Sequence, residues 1–344
     1  MRCCLPKADI VSVVSTLAPL HKALDHRRIF LTGGTGFFGK WLLYSFVALR
    51  QAYDLDSTMT VLSRDPKRFF DSHPAFSRQP GVEFIAGDVR TFDFSPLPTF
   101  DFVIHGATSA SAKLEHDHPD EMRSVIVDGT RHVIDFTRHC SVKRFLEISS
   151  GAVYGPQPSA LSALPETYEG VPLTSYGKGK KIAEQLCLEA AADKFECVIV
   201  RPFAFVGPYL PLDTHFAIGN FIRDCLLGRP IVIQGDGTPV RSYLYAADLT
   251  DWLWTMLLLG QSGRSYNVGT SDAISIFDLA HRVRRCAGTQ NEIIVREKPV
   301  EGAWPIRYVP SVERAERELG LVPRCSLDEA IIRTLGWYQM SDSQ

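Results

Sequence analysis

Seven consecutive residues, Gly33-Gly34-Thr35-Gly36-Phe37-Phe38-Gly39, constrain this chain more than any others. They follow directly on Arg28-Ile29-Phe30-Leu31-Thr32, which reads as a short buried strand, and lead into a helical stretch from Lys40 to Leu49. Glycines at the first, fourth and seventh positions let a chain turn tightly out of a strand, approach a pyrophosphate closely, and pack the next helix on the sheet. A glycine triplet alone is a weak signal, and the strand before and helix after it supply the context that makes it informative. The arrangement implies a dinucleotide held at Gly33, Thr35, Gly36, Phe37, Phe38 and Gly39.

Further short apolar runs follow at Met59 to Ser63, Val82 to Ala86, Phe102 to His105, Arg144 to Ser149 and Cys197 to Arg201, with helical stretches between several of them. Strands alternating with helices predict an α/β fold, a Rossmann-type doubly wound parallel sheet. We place that domain at residues 27–205. Beyond it Gly and Pro increase, as in Gly228-Arg229-Pro230 and Gly235-Asp236-Gly237-Thr238-Pro239. Residues 206–344 read mainly as a smaller C-terminal substrate-binding α/β cap over the carboxyl ends of the strands. Residues 1–26 form a leading helical arm, with Ile10, Val13, Val14 and Leu17 at helical spacing.

The 37 basic and 39 acidic residues leave a net charge of −2, which gives no general attraction for nucleic acid or an anionic membrane. The run Trp252 to Leu259 is apolar but falls short of the ~18 residues of a membrane span, so a buried helix is expected. Eight cysteines include no Cys-x-x-Cys pair and no zinc spacing with histidine. Free thiols, no metal and a cytoplasmic location are the expectation.

Two further features concern chemistry. Tyr176 and Lys180 stand four apart at the start of a helix, on one face, so both can reach one ligand. A free phenol titrates near ~10, and a neighbouring ammonium favours its ionised form. At the end of the second strand, where the adenosine ribose is read, stands Ser63-Arg64-Asp65. An acidic residue there accepts from the ribose hydroxyls of NAD, whereas Arg64 suits the extra phosphate of NADP. NADP(H) is therefore favoured over NAD(H).

The G-x-x-G-x-x-G spacing after Thr32, with Tyr-x-x-x-Lys downstream, resembles the extended short-chain dehydrogenases, and the likeness runs through most of the chain. It implies that Asp88 and Val89 border the adenine, that His105 and Ala107 line the cofactor through their backbone, and that Arg201 and Pro202 border the nicotinamide. Asp128 stands where Asn is commoner. Ser149-Ser150-Gly151-Ala152-Val153-Tyr154-Gly155 resembles the segment carrying the catalytic hydroxyl, which falls on Ser150, with Ser149 as a strand-end residue bonding its own backbone. The stretches around His215 to Ile222 and Arg241 to Asp248 resemble the nucleotide-sugar epimerase and dehydratase group. They imply a diphosphate grip from Arg241 with Asn220, a sugar contact or structural role for His215, and a helix cap at Asp248. Tyr266-Asn267-Val268-Gly269 reads as an architectural turn. Such enzymes commonly form homodimers.

Sugar-nucleotide 4,6-dehydratases of this group place an acid pair in the two positions after the catalytic hydroxyl. Here these are Gly151 and Ala152, and neither can transfer a proton. The expected function is NADPH-dependent reduction of a nucleotide-linked 4-keto-6-deoxyhexose, such as dTDP-4-keto-6-deoxyglucose, by Ser150, Tyr176 and Lys180. Ser150 and Tyr176 would also contact the sugar. The alternative is a nucleotide-sugar 4-epimerase with tightly bound NAD. A non-catalytic redox sensor or RNA-binding regulator would have lost Tyr176 or Lys180.

Overall fold

The computed structural model describes residues 4–108, 112–192, 194–214 and 216–342. Its centre is a seven-stranded sheet with every neighbouring pair parallel. The spatial order is Ser265–Val268, Glu196–Pro202, Arg144–Ile148, Phe102–His105, Arg28–Thr32, Thr58–Ser63 and Val82–Ala86. The first strand in sequence therefore lies between the second and fourth, and the chain winds outward in both directions from it. Ligands in such sheets bind at this reversal, beyond the carboxyl ends of the strands. Thr32 and His105 are register partners at that point.

Both faces of the sheet are covered, which is why its strands read as apolar runs without alternation. Phe30, Val103 and Phe145 share one core with Phe136 and Cys187, from the helices Pro119–His139 and Ser175–Ala191. Ile29, Leu31, Met59 and Ile104 share the opposite core with Trp41 and Phe46 of helix Phe37–Ala52 and with Trp252 and Trp254 of helix Ala246–Leu259. The apolar run is thus a helix, buried from Trp252 to Leu257. Among the described residues no helix is long and apolar enough to cross a membrane.

Part of the chain after residue 205 belongs to the main sheet and its cover. Helix Ala246–Leu259 covers the sheet, and Ser265–Val268 is the sheet's outer strand rather than a turn. Asn267 is buried there, with its amide nitrogen donating to Leu164 O and Ser311 O. Asp248 does not cap its helix from outside. It lies in the first turn, buried, and accepts from the backbone of Arg324 and Cys325. A separate three-stranded sheet pairs Val240–Arg241 antiparallel with Ile274–Ser275 and parallel with Arg307–Tyr308, so Tyr308 stands opposite Arg241.

The N-terminal arm forms helix Lys7–Thr16, packed on helices Phe37–Ala52 and Ala246–Leu259. Val13 and Leu17 are buried, and Ile10 and Val14 pack against the same core. Asp9, also buried, accepts from the Tyr245 hydroxyl and pairs with Arg333 of the last helix.

Candidate functional site

The glycine loop closes the sheet at the reversal point. Gly33 has φ +75°, and a β-carbon there would stand 2.5 Å from Gly106 O. One on Gly39 would stand 2.3 Å from Gly33 O. Both positions need glycine, one for conformation and close approach, the other for helix packing. Gly36 precedes helix Phe37–Ala52 without a side-chain cap, so the backbone of Phe37, Phe38 and Gly39 opens the helix toward the loop. Thr32 ties the other wall: its hydroxyl accepts from Gly106 N at 3.1 Å and Ala107 N at 3.0 Å, and meets His105 Nδ1 at 2.8 Å. His105 Nε2 reaches Thr130 Oγ1 at 3.1 Å, and that hydroxyl donates to Ile126 O. Each hydroxyl is satisfied when Nε2 carries the proton and Nδ1 accepts from Thr32. Burial, helped by the charge of Lys180, brings His105 down to about 3, so the ring is neutral. Glycines that exclude a β-carbon, a helix start facing them and a second wall of small residues fit a dinucleotide pyrophosphate.

The segment after strand Val82–Ala86 is more polar. Asp88 accepts from Arg90 Nε and Nη2, both at 2.8 Å, and from Arg90 N at 2.9 Å. Those bonds, with a smaller effect from Arg64, hold its carboxyl down to about 2. Val89 is buried and fills the space above Gly129. Arg64 is exposed, and Asp65 caps helix Pro66–Ser72 by accepting from Arg68 N at 3.0 Å. Asp128 lies on the surface, bonded to Ser124 and Arg131.

Helix Ser175–Ala191 carries Tyr176 and Lys180. Thr174 caps it by accepting from Gly177 N, and Glu115 accepts from Ser175 N at 2.6 Å and Tyr176 N at 2.9 Å. A carboxylate on the first amides suits the positive end of the helix. Tyr176 packs on Met122, Ile126 and Ala183. Lys180 is 1% exposed and donates to Ile148 O at 2.7 Å and Glu147 at 3.3 Å.

Ser149 and Ser150 divide cleanly. Ser149 donates to Glu184 at 2.5 Å rather than bonding its own backbone. Ser150 starts the short turn Gly151–Tyr154, its hydroxyl accepting from Ala152 N at 3.1 Å. The same hydroxyl approaches the phenol of Tyr308, which also feels the charges of Tyr176 and Arg241. Tyr308 therefore lies close to Ser150 and Arg241 and within electrostatic reach of Tyr176. The Arg241 guanidinium lies 5.8 Å from the Tyr308 ring centre, and Phe203 packs on that ring at 4.5 Å.

The Arg201 guanidinium is committed to Glu184, at 2.9 and 2.7 Å, and to the Tyr154 hydroxyl at 2.8 Å. Only its backbone, with Pro202, is left for a nicotinamide contact. Asn220 sits in the first turn of helix Ala217–Leu226, accepting from Arg223 at 3.3 Å, and these contacts do not bring it to Arg241. His215 lies outside the described residues. Glu147, Glu115 and Tyr308 were not singled out from sequence. Glu147 had a usable signal, a charged residue inside the apolar strand Phe145-Leu146-Glu147-Ile148. Tyr308 and Glu115 had none.

Comparison with known proteins shows the family and the fold. Residues 29–269 match the model of the NAD dependent epimerase/dehydratase family. A mouse protein named dTDP-D-glucose 4,6-dehydratase is 27% identical over 331 residues, covering 91% of this chain and 89% of the relative. A dTDP-glucose 4,6-dehydratase from Streptomyces venezuelae, solved with NAD and TYD bound, superposes with a TM-score of 0.79 at 21% identity, covering 92% of this chain and 98% of that one. RMD from Pseudomonas aeruginosa, solved with NADPH, gives 0.73 at 23% identity, covering 91% and 99%. The chain belongs to the NAD dependent epimerase/dehydratase family, within the extended short-chain dehydrogenase group.

Proposed function

We propose that this enzyme reduces the ketone of a nucleotide-linked 4-keto-6-deoxyhexose, with NADPH as its cofactor. The observation that carries this reading is the pair Gly151 and Tyr308. Elimination of water needs an acid and a base beside the reacting hydroxyl. The position next to Ser150 has no side chain, and a phenol oxygen stands 2.6 Å from where a β-carbon would begin. Relatives named as dehydratases share the scaffold, but this chain offers no carboxyl there.

A bound nicotinamide supplies the hydride. Tyr176 gives a proton to the ketone oxygen as it gains charge, and Ser150 holds that oxygen by hydrogen bonding. Lys180 donates to the nicotinamide ribose. Arg241 grips the diphosphate, a task suited to guanidinium, and Arg64 holds the phosphate that distinguishes NADPH. The neutral His105 and the Thr32 hydroxyl keep the cofactor wall rigid without adding charge.

The test mixes purified protein with NADPH and enzymatically made dTDP-4-keto-6-deoxyglucose, with NADH in parallel. Rapid loss of NADPH absorbance that Tyr176→Phe abolishes is the expected result. Oxidation of neither cofactor, with NAD released on denaturation, would instead make the enzyme a 4-epimerase.

A further inference from the structure

Behind the catalytic lysine lies a buried carboxylate to which the reaction above gives no task. Glu147 is fully buried on strand Arg144–Ile148, among Phe145, Leu146 and Ile148. Its Oε1 accepts from Lys180 Nζ at 3.3 Å, and the same ammonium donates to Ile148 O at 2.7 Å. An ammonium has three donors. Two are thus fixed within the protein, and one is left for a group in the cleft.

We propose that Glu147 is a positioning residue for the catalytic lysine, anchoring the Lys180 ammonium so that one N–H stays aimed at the nicotinamide ribose. This rests on the reading of Lys180 as the lysine that holds the cofactor. Two physical consequences follow. A flexible four-carbon stem loses its alternatives, so less ordering remains to be done when the ribose arrives. The carboxylate also keeps the amine charged. Burial disfavours the charged form of both partners and raises the Glu147 carboxyl, but at Lys180 the attraction of Glu147, ahead of Tyr176, outweighs it and raises the amine above its ordinary value. With the Glu147 charge removed, burial dominates and Lys180 sheds its proton at lower pH.

The other titratable groups around Glu147 do not compete for this role. On the helix, Glu184 is held by the Arg201 guanidinium, and the Cys187 thiol, 4.0 Å from Glu147 Oε2, is kept protonated chiefly by burial. Cys197, from the next strand, lies against Cys187. His105, the register partner of Glu147 on the neighbouring strand, stays neutral.

Calorimetric binding of NADPH to the full protein without any sugar, with NADH in parallel, tests this between about pH 6 and about pH 10, on either side of the region where lysine titrates. Glu147→Gln keeps the shape and an acceptor but removes the charge. It should bind like the native protein near neutrality and lose roughly tenfold at the alkaline end, one pKa unit being a factor of ten. Glu147→Asp should keep the native pH profile with an affinity a few-fold weaker throughout. Identical profiles for native protein and Glu147→Gln overturn the proposal. Should Glu147→Gln not fold, native affinity in Glu147→Asp at every pH overturns it instead. Lys180→Met separates the two levels. If it leaves binding unchanged, the reading of Lys180 itself fails. If it weakens binding while Glu147→Gln does not, only the role of Glu147 falls.

Discussion

The phenol oxygen of Tyr308 stands 2.6 Å from the point that a β-carbon on Gly151 would occupy, and two carbons of the Phe203 ring stand 2.8 and 2.9 Å from the same point. The space beside the Ser150 hydroxyl is therefore closed by two rings, and the glycine is what admits them. Gly151→Ala should force a ring to move and cost roughly 1–3 kcal/mol of stability, the usual range for overpacking. A thermal unfolding midpoint unchanged from native would show that the space is open after all. Tyr308→Phe leaves the packing but removes the hydroxyl near Ser150. Its turnover should fall by roughly tenfold, the scale of one hydrogen bond, with folding intact.

The arm at the N-terminus behaves as part of the core. Asp9 is 1% exposed and joins Tyr245 to Arg333, which lie far apart in sequence. Removing Asp9 takes the acceptor from the buried Tyr245 hydroxyl, whereas Arg333 is 36% exposed and keeps Glu329, so the loss is about 1–3 kcal/mol. Asp9→Ala should therefore lower the unfolding midpoint clearly, and truncation before Arg28 should do so further. Truncated protein that melts like the native chain would reduce the arm to an appendage.

What could be read from sequence was local. The glycine loop announces itself because its strand and helix are adjacent in the chain, and Tyr176 and Lys180 because a helix brings residues four apart together. Ser265–Val268 was misread because Asn and Gly favour turns. In the fold the Asn267 side chain instead accepts from the Tyr154 hydroxyl at 2.8 Å and donates to two carbonyls, so a polar residue is affordable in a buried strand. Glu147 was visible as an anomaly, but its partner Lys180 lies 33 residues away on another element. Tyr308 could not be found at all. Its meaning depends on an absent side chain at Gly151 and on the small sheet that places it opposite Arg241.

His105 should make stability fall as pH drops below neutrality. Unfolded, a histidine takes up a proton near ~6.5, whereas the folded protein resists until about pH 3. Between these values the unfolded state binds the extra proton, so stability rises with pH, by up to about 1.4 kcal/mol per unit. The stretch from about pH 6.5 to about pH 5 lies above most carboxylate titrations and isolates the effect. Urea unfolding across that window should show the slope in native protein and a shallower one in His105→Gln. Equal slopes would mean that the ring is protonated or solvated in the folded state.

In the proposed reading Arg64 selects NADPH, and the geometry around it sharpens the expectation. The acidic residue that could have served NAD is Asp65, but its carboxylate caps helix Pro66–Ser72 and accepts from Arg68 N. It is turned to the helix, two positions beyond the end of strand Thr58–Ser63. Among the described residues no ion pair holds the exposed Arg64, which acts on Asp88 only as a minor electrostatic influence. A guanidinium in that position loses little by turning to a phosphate, and hydrogen bonds to a charged group contribute about 1.5–3 kcal/mol. Arg64→Ala should therefore weaken NADPH by roughly ten- to a hundredfold and leave NADH almost unchanged. The native preference should also shrink as salt rises, because an exposed charge pair is screened. Equal losses for both cofactors would assign Arg64 to the common part of the dinucleotide. An unaltered NADPH affinity would remove it from the site, and the NADP preference with it.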